Sequence, residues 1–131
     1  MPTRNLRESI DRLTLSQFRR LGIACCYRLR CNHKDKRLGK ALRRLERSLG
    51  PPPNDQLRRD ALNAAKSIYQ DLAQTNSVLK AAACTLVCAC WDGPNPNLIG
   101  NFCAALREGE NLSSEEIDTT LSQMINAIID G

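Results

Sequence analysis

The chain has 131 residues, of which 42% are hydrophobic and 25% charged, and its formal net charge is +5. A chain of this length is expected to fold as one domain around a modest core, and its longest apolar run is too short to span a bilayer. Aromatic residues make up only 4%, which leaves little for stacking on single-stranded bases.

The first predicted unit is a basic helical arm at residues 5–49. Thr14 followed by Gln17 has the form of a capping box, and Asp35 could cap a further helix. Whether one helix or two occupies this arm is left open by the sequence. Gly50 and the three prolines after it end the arm, because proline cannot continue a helix.

Charge is concentrated in this arm. Residues 1–50 hold 14 basic and 4 acidic groups, whereas residues 51–131 hold 5 basic and 10 acidic groups. On a helix that starts at residue 36, four leucines would face one side, and the opposite side would carry a line of Lys36, Lys40, Arg43 and Arg47, with Arg37 and Arg44 beside it. Because the guanidinium fork fits phosphate geometry, this pattern favours nucleic acid over an acidic protein, a membrane surface or simple solubility.

A long second helix is predicted over residues 55–91. Its apolar positions advance by three or four residues from Leu57 to Leu86, which is close to the seam of a coiled coil. Such a seam can pair with a second copy of the chain or with another part of the same chain, so the oligomeric state stays open. Arg59, Lys66 and Lys80 lie outside the seam and would be distributed along a rod.

The C-terminal part is predicted to hold a short helix at 98–106 and an acidic helix at 114–130. Ser113 or Ser114 would cap the last helix, and Glu115 and Glu116 suit the positive end of its dipole. Since no segment shows the alternation of a strand, the predicted fold class is all-α, an elongated helical bundle forming a single domain over 1–131.

Seven cysteines are present, and no secretory signal is visible, so reduced thiols in the cytoplasm are expected. We interpret them as apolar packing residues and expect no metal or cofactor. A zinc site is the alternative, and its ligands would be Cys25, Cys31, His33, Cys84 and Cys88. Neither a phosphate-binding glycine loop nor a carboxylate cluster appears, and a cysteine–histidine pair lacks an orienting group, so an enzyme is not predicted.

Two short segments resemble the nodavirus B2 proteins, a family of small helical suppressors of RNA silencing. One runs from Pro53 to Asn63 (PNDQLRRDALN) and the other from Ala104 to Leu112 (AALREGENL). The resemblance implies an antiparallel homodimer whose long helices form a four-helix bundle and bind double-stranded RNA on one flat face. It places Arg58 and Arg59 on the family's basic pair, with Lys66 and Lys80 nearest to its later cation.

The prediction is therefore a non-enzymatic viral protein of the host cytoplasm that shields double-stranded RNA from dicing and loading, with host silencing proteins as further partners and no membrane. The predicted RNA-binding residues are Arg58, Arg59, Lys66, Lys80, Lys36, Arg37, Lys40, Arg43, Arg44 and Arg47. Two alternatives stay open: a helical protein-interaction module that binds an acidic partner, and a zinc-stabilised nucleic-acid-binding protein. The sequence does not decide between RNA and DNA.

Overall fold

The computed structural model describes residues 4–29, 35–72 and 77–130. Within these ranges every regular element is a helix, so the predicted all-α class is confirmed. In chain order the helices are α1 (Arg4–Asp11), α2 (Leu15–Arg28), α3 (Lys36–Ser48), α4 (Asp55–Leu72), α5 (Ser77–Ala89), α6 (Asn97–Glu110) and α7 (Ser114–Asp130).

Local caps account for the starts of α2 and α3. The Thr14 hydroxyl accepts a hydrogen bond from the backbone N–H of Gln17 at 3.1 Å, and the Gln17 side chain accepts one from the N–H of Thr14 at 2.9 Å. The Asp35 carboxylate accepts the N–H of Arg37 at 2.9 Å. In its described residues the basic arm therefore contains two separate long helices, α2 and α3, which follow the short α1.

The C-terminal helices lie close to their predicted positions. Helix α6 is longer than the predicted 98–106, and α7 occupies the predicted range. Ser113 is the cap of α7: its hydroxyl accepts the N–H of Glu116 at 3.2 Å, and the Glu116 carboxylate accepts the N–H of Ser113 at 3.1 Å.

The prediction of one helix over 55–91 is wrong. Helix α4 ends at Leu72, and α5 returns alongside it; residues 73–76 lie outside the described ranges. Nη1 of Arg58 donates to the carbonyl oxygen of Cys90 at 2.9 Å, whereas one straight helix would hold these residues roughly 48 Å apart. Both halves of the expected seam are buried inside the chain, at Ala61, Ile68, Ala82 and Leu86.

Helix α5 lies at the centre of the fold, in contact with α2, α3, α4 and α6. Small residues allow these close approaches. A Cβ atom on Gly22 of α2 would lie 2.7 Å from Cβ of Ala89, so glycine is required where α2 crosses α5. Although α5 is apolar, no helix in the described ranges has the length and hydropathy needed to span a membrane.

Candidate nucleic-acid interface

Helix α3 carries four exposed cations on its outer side, Lys36, Lys40, Arg43 and Arg47. Their spacing of three or four residues distributes them over roughly 17 Å of helix. On the opposite side of α3, Leu38, Leu42 and Leu45 are fully buried and hold the helix to the core. In the described part of the chain none of the four cations forms an ion pair. We call this set the α3 cation line.

A groove of about 280 Å³ lies between the packed helices α3 and α4, beside the α3 cation line. Its floor is mainly apolar and its α3 wall is cationic; the lining residues are Arg37, Lys40, Ala41, Arg44, Ala64, Ser67 and Ile68. Nη1 of Arg37 lies 2.9 Å from the Asp71 carboxylate, and its Nη2 lies 3.3 Å from Asp35. The bond to Asp35, followed by that to Asp71, raises the pKa of Arg37. The structure thus brings six predicted cations together on α3 and this groove.

Arg58 does not belong to this surface, and its burial does not support the predicted role as an RNA contact, which stays a prediction. Its side chain is only 5% exposed. Nε donates to Asp55 at 2.7 Å, Nη1 donates to the carbonyl of Cys90 at 2.9 Å, and Nη2 lies 2.7 Å from Asp92. The hydrogen bond to Asp55 is the main cause that raises the pKa of Arg58. Arg58 therefore joins the start of α4 to the end of α5.

The remaining predicted cations are Arg59 and Lys66 of α4 and Lys80 of α5. Arg59 is exposed and lies 3.1 Å from Asp55. Nζ of Lys66 lies 5.3 Å from the centroid of the Trp91 ring, and Nζ of Lys80 lies 5.7 Å from that of Tyr69. Both lysines make cation–π contacts between the α4 and α5 regions. Neither lysine lines the groove between α3 and α4.

Other arginines of the basic arm are bound by polar groups of the C-terminal half. Nη1 of Arg28 donates to both carboxylate oxygens of Glu110, at 2.6 and 2.8 Å. Nη2 of Arg19 donates to the backbone oxygen of Asp92 at 3.2 Å. These contacts neutralise or orient cations of α2, and they involve no residue of the α3 cation line. Arg30 and Lys34 lie outside the described ranges.

The cysteines lie mostly in the core. Of the six described, all but Cys84 are buried, and burial raises the pKa of Cys25, Cys26 and Cys90. Among the candidate zinc ligands, Cys84 and Cys88 are one turn apart on α5, and Cys31 and His33 are not in the described ranges. No three cysteine, histidine or acidic side chains converge on a metal-sized site in the part of the chain that the structure describes.

Comparisons with known proteins give no family for this chain: no family model, no curated protein and no solved structure matches it. The resemblance to the nodavirus B2 proteins therefore stays a prediction. The α3 cation line is the main candidate for a functional surface.

Proposed function

We propose that the protein binds double-stranded RNA through the α3 cation line and the adjoining groove, without reading the base sequence. The observation that carries this proposal is the line itself: four exposed cations, unpaired within the described residues, on one side of a helix whose other side is fixed in the core. Successive cations are roughly 4.5–6 Å apart along the axis. Contacts from lysine and arginine to phosphate position a protein on a duplex and carry no sequence information directly.

A duplex is favoured over a single strand because the described residues offer no row of free aromatic rings on the surface. Tyr27 is exposed, but its hydroxyl donates to Glu46 at 2.9 Å, and the Trp91 ring carries the ammonium of Lys66. Proteins that bind single strands without sequence preference depend on stacking bases on such rings. Regular cations on a rigid helix suit a duplex that is recognised by shape and phosphate position.

The homodimer expected from the long-helix seam is not part of this proposal, since that seam is buried within one chain. We propose instead that each chain presents one cationic face. A duplex whose phosphates are occupied in this way would be hidden from a dicing nuclease. We propose that the protein suppresses RNA silencing in a host cytoplasm by this route. The mass of the complex with a duplex of about 20 base pairs gives the number of chains bound.

The direct test is a fluorescence anisotropy titration of that duplex between 50 and 200 mM salt. With at least four phosphate contacts, the slope of log K against log salt is expected to be about −3.6 or steeper, so affinity falls on the order of 100-fold over this range. Single-stranded RNA of the same length is expected to compete poorly, and a DNA duplex included as a competitor measures the preference for RNA. Equal binding to polyglutamate and to duplex RNA would contradict the proposal and favour an acidic protein partner.

A further inference from the structure

Cys84 differs from every other cysteine that the structure describes, because its side chain reaches solvent while the other five are buried. It lies in the middle of α5, one turn after Lys80 and one turn before Cys88. Residues four apart project from the same face of a helix. The partly exposed Cys84 therefore shares its face of α5 with Lys80 and Cys88.

The surroundings of Cys84 favour its ionised form. The hydrogen bond from the Cys88 thiol, then the charge of Lys80 and a hydrogen bond from Asn101 of α6, together lower the pKa of Cys84 to about 7 against the opposing effect of partial burial. Cys88 shows the reverse, since donating to Cys84 raises its pKa. Nδ2 of Asn101 also lies 3.6 Å from Sγ of Cys88, which fixes the cluster against α6.

We propose that Cys84 is a site of mixed-disulfide formation with small acidic disulfides, of which glutathione disulfide is the probe. The Cys84 thiolate attacks one sulfur of the reagent, so a new S–S bond forms to Cys84 and the S–S bond of the reagent breaks. The released half leaves as a thiolate and takes a proton from water. The ammonium of Lys80, which lies 5.7 Å from the centroid of the Tyr69 ring in the free protein, exchanges that contact for a carboxylate of the attached tripeptide.

Cys88 is placed to activate Cys84 and not to displace the adduct. Side chains one turn apart on a helix have Cβ atoms about 5–6 Å apart, whereas a disulfide needs roughly 3.5–4.5 Å. A bond between Cys84 and Cys88 would therefore require α5 to distort, and α5 is the helix on which α2, α3, α4 and α6 pack. The mixed disulfide is expected to accumulate.

The test is to incubate the reduced, full-length chain with glutathione disulfide and to map the adducts by mass spectrometry after digestion. A Cys31→Ser background removes the thiol that lies outside the described residues. One adduct is expected, at Cys84, forming roughly three- to fivefold faster at pH 7 than on an ordinary exposed thiol, since the larger thiolate fraction outweighs the lower nucleophilicity. Its rate should rise up to about pH 7 and then level, while that of an ordinary thiol rises to about pH 8.5.

Three variants separate the contributions of Cys84, Lys80 and Cys88 to adduct formation. Cys84→Ser should abolish the adduct, Lys80→Gln should move the rise in rate to higher pH, and Cys88→Ser should keep the adduct because serine is still a donor. Circular dichroism verifies that each variant is folded. Adducts spread evenly over several cysteines, a Cys84–Cys88 disulfide as the main product, or an unchanged pH profile in Lys80→Gln would each overturn the proposal.

Discussion

Replacing the α3 cation line with glutamine is expected to weaken binding of duplex RNA on the order of 1,000-fold at 0.1 M salt. Each lost phosphate contact removes about 0.9 from the slope of log K against log salt, so four contacts remove about 3.6. The fold should survive, because the four side chains are exposed and glutamine is a good helix former. Anisotropy titrations at several salt concentrations measure both the affinity and the slope; the substitutions are Lys36→Gln, Lys40→Gln, Arg43→Gln and Arg47→Gln.

The matched control removes the same number of charges from positions outside α3. Its four positions are also exposed and lie on α1, α2, α6 and the turn after α1; they are Arg7, Arg12, Arg20 and Arg107, each replaced by glutamine. Net charge falls equally in the two variants, so the control isolates the position of the charge. We expect the control to lose less than about tenfold in affinity and to keep most of the salt slope. Equal losses in the two variants would show that net charge is responsible and not the α3 surface.

Arg58→Ala is expected to lower the free energy of unfolding by about 2–3 kcal/mol. The carbonyl of Cys90 would lose its bond to Nη1, and the α4–α5 hairpin would lose a buried guanidinium that also contacts Asp55 and Asp92. A buried acceptor left without a partner is costly, whereas the two carboxylates are 56% and 80% exposed and can be hydrated. Urea unfolding measures the change.

Arg59→Ala is the control for this prediction. The Arg59 side chain is 58% exposed and its described ion pair is with Asp55, so its loss should change stability by no more than about 0.5 kcal/mol. Under conditions where both variants are folded, both should bind duplex RNA with affinities close to that of the unmodified chain. An Arg58→Ala protein of normal stability with weak RNA binding would instead support the role implied by the viral resemblance.

The features that could be predicted from sequence are those set by neighbouring residues. Thr14 with Gln17, and Asp35 with the N–H of Arg37, form caps within three residues. Helical periodicity likewise predicts the cations on the outer side of α3. Such signals do not depend on where the rest of the chain lies, and the structure confirms these elements.

The hairpin of α4 and α5 could not be predicted because an apolar periodicity shows which side of a helix is buried and not what covers it. The step of three and four residues continues from Leu57 to Leu86 across the segment where α4 ends and α5 begins. The position of Arg58 depends on that hairpin. Asp55 precedes Arg58 by three residues, so that contact could be predicted from the sequence. Asp92 and the carbonyl of Cys90 reach Arg58 only when the chain turns back.

Lysine acetylation footprinting tests most directly whether duplex RNA lies on the α3 cation line. The protein is treated with limiting acetic anhydride, with and without a saturating duplex of about 20 base pairs, and modification of each lysine is measured by mass spectrometry. Protection of Lys36 and Lys40 is expected, while Lys66 and Lys80, held over the Trp91 and Tyr69 rings, should react as they do in the free protein. Protection of Lys66 and Lys80 without protection of Lys36 and Lys40 would contradict the proposed surface.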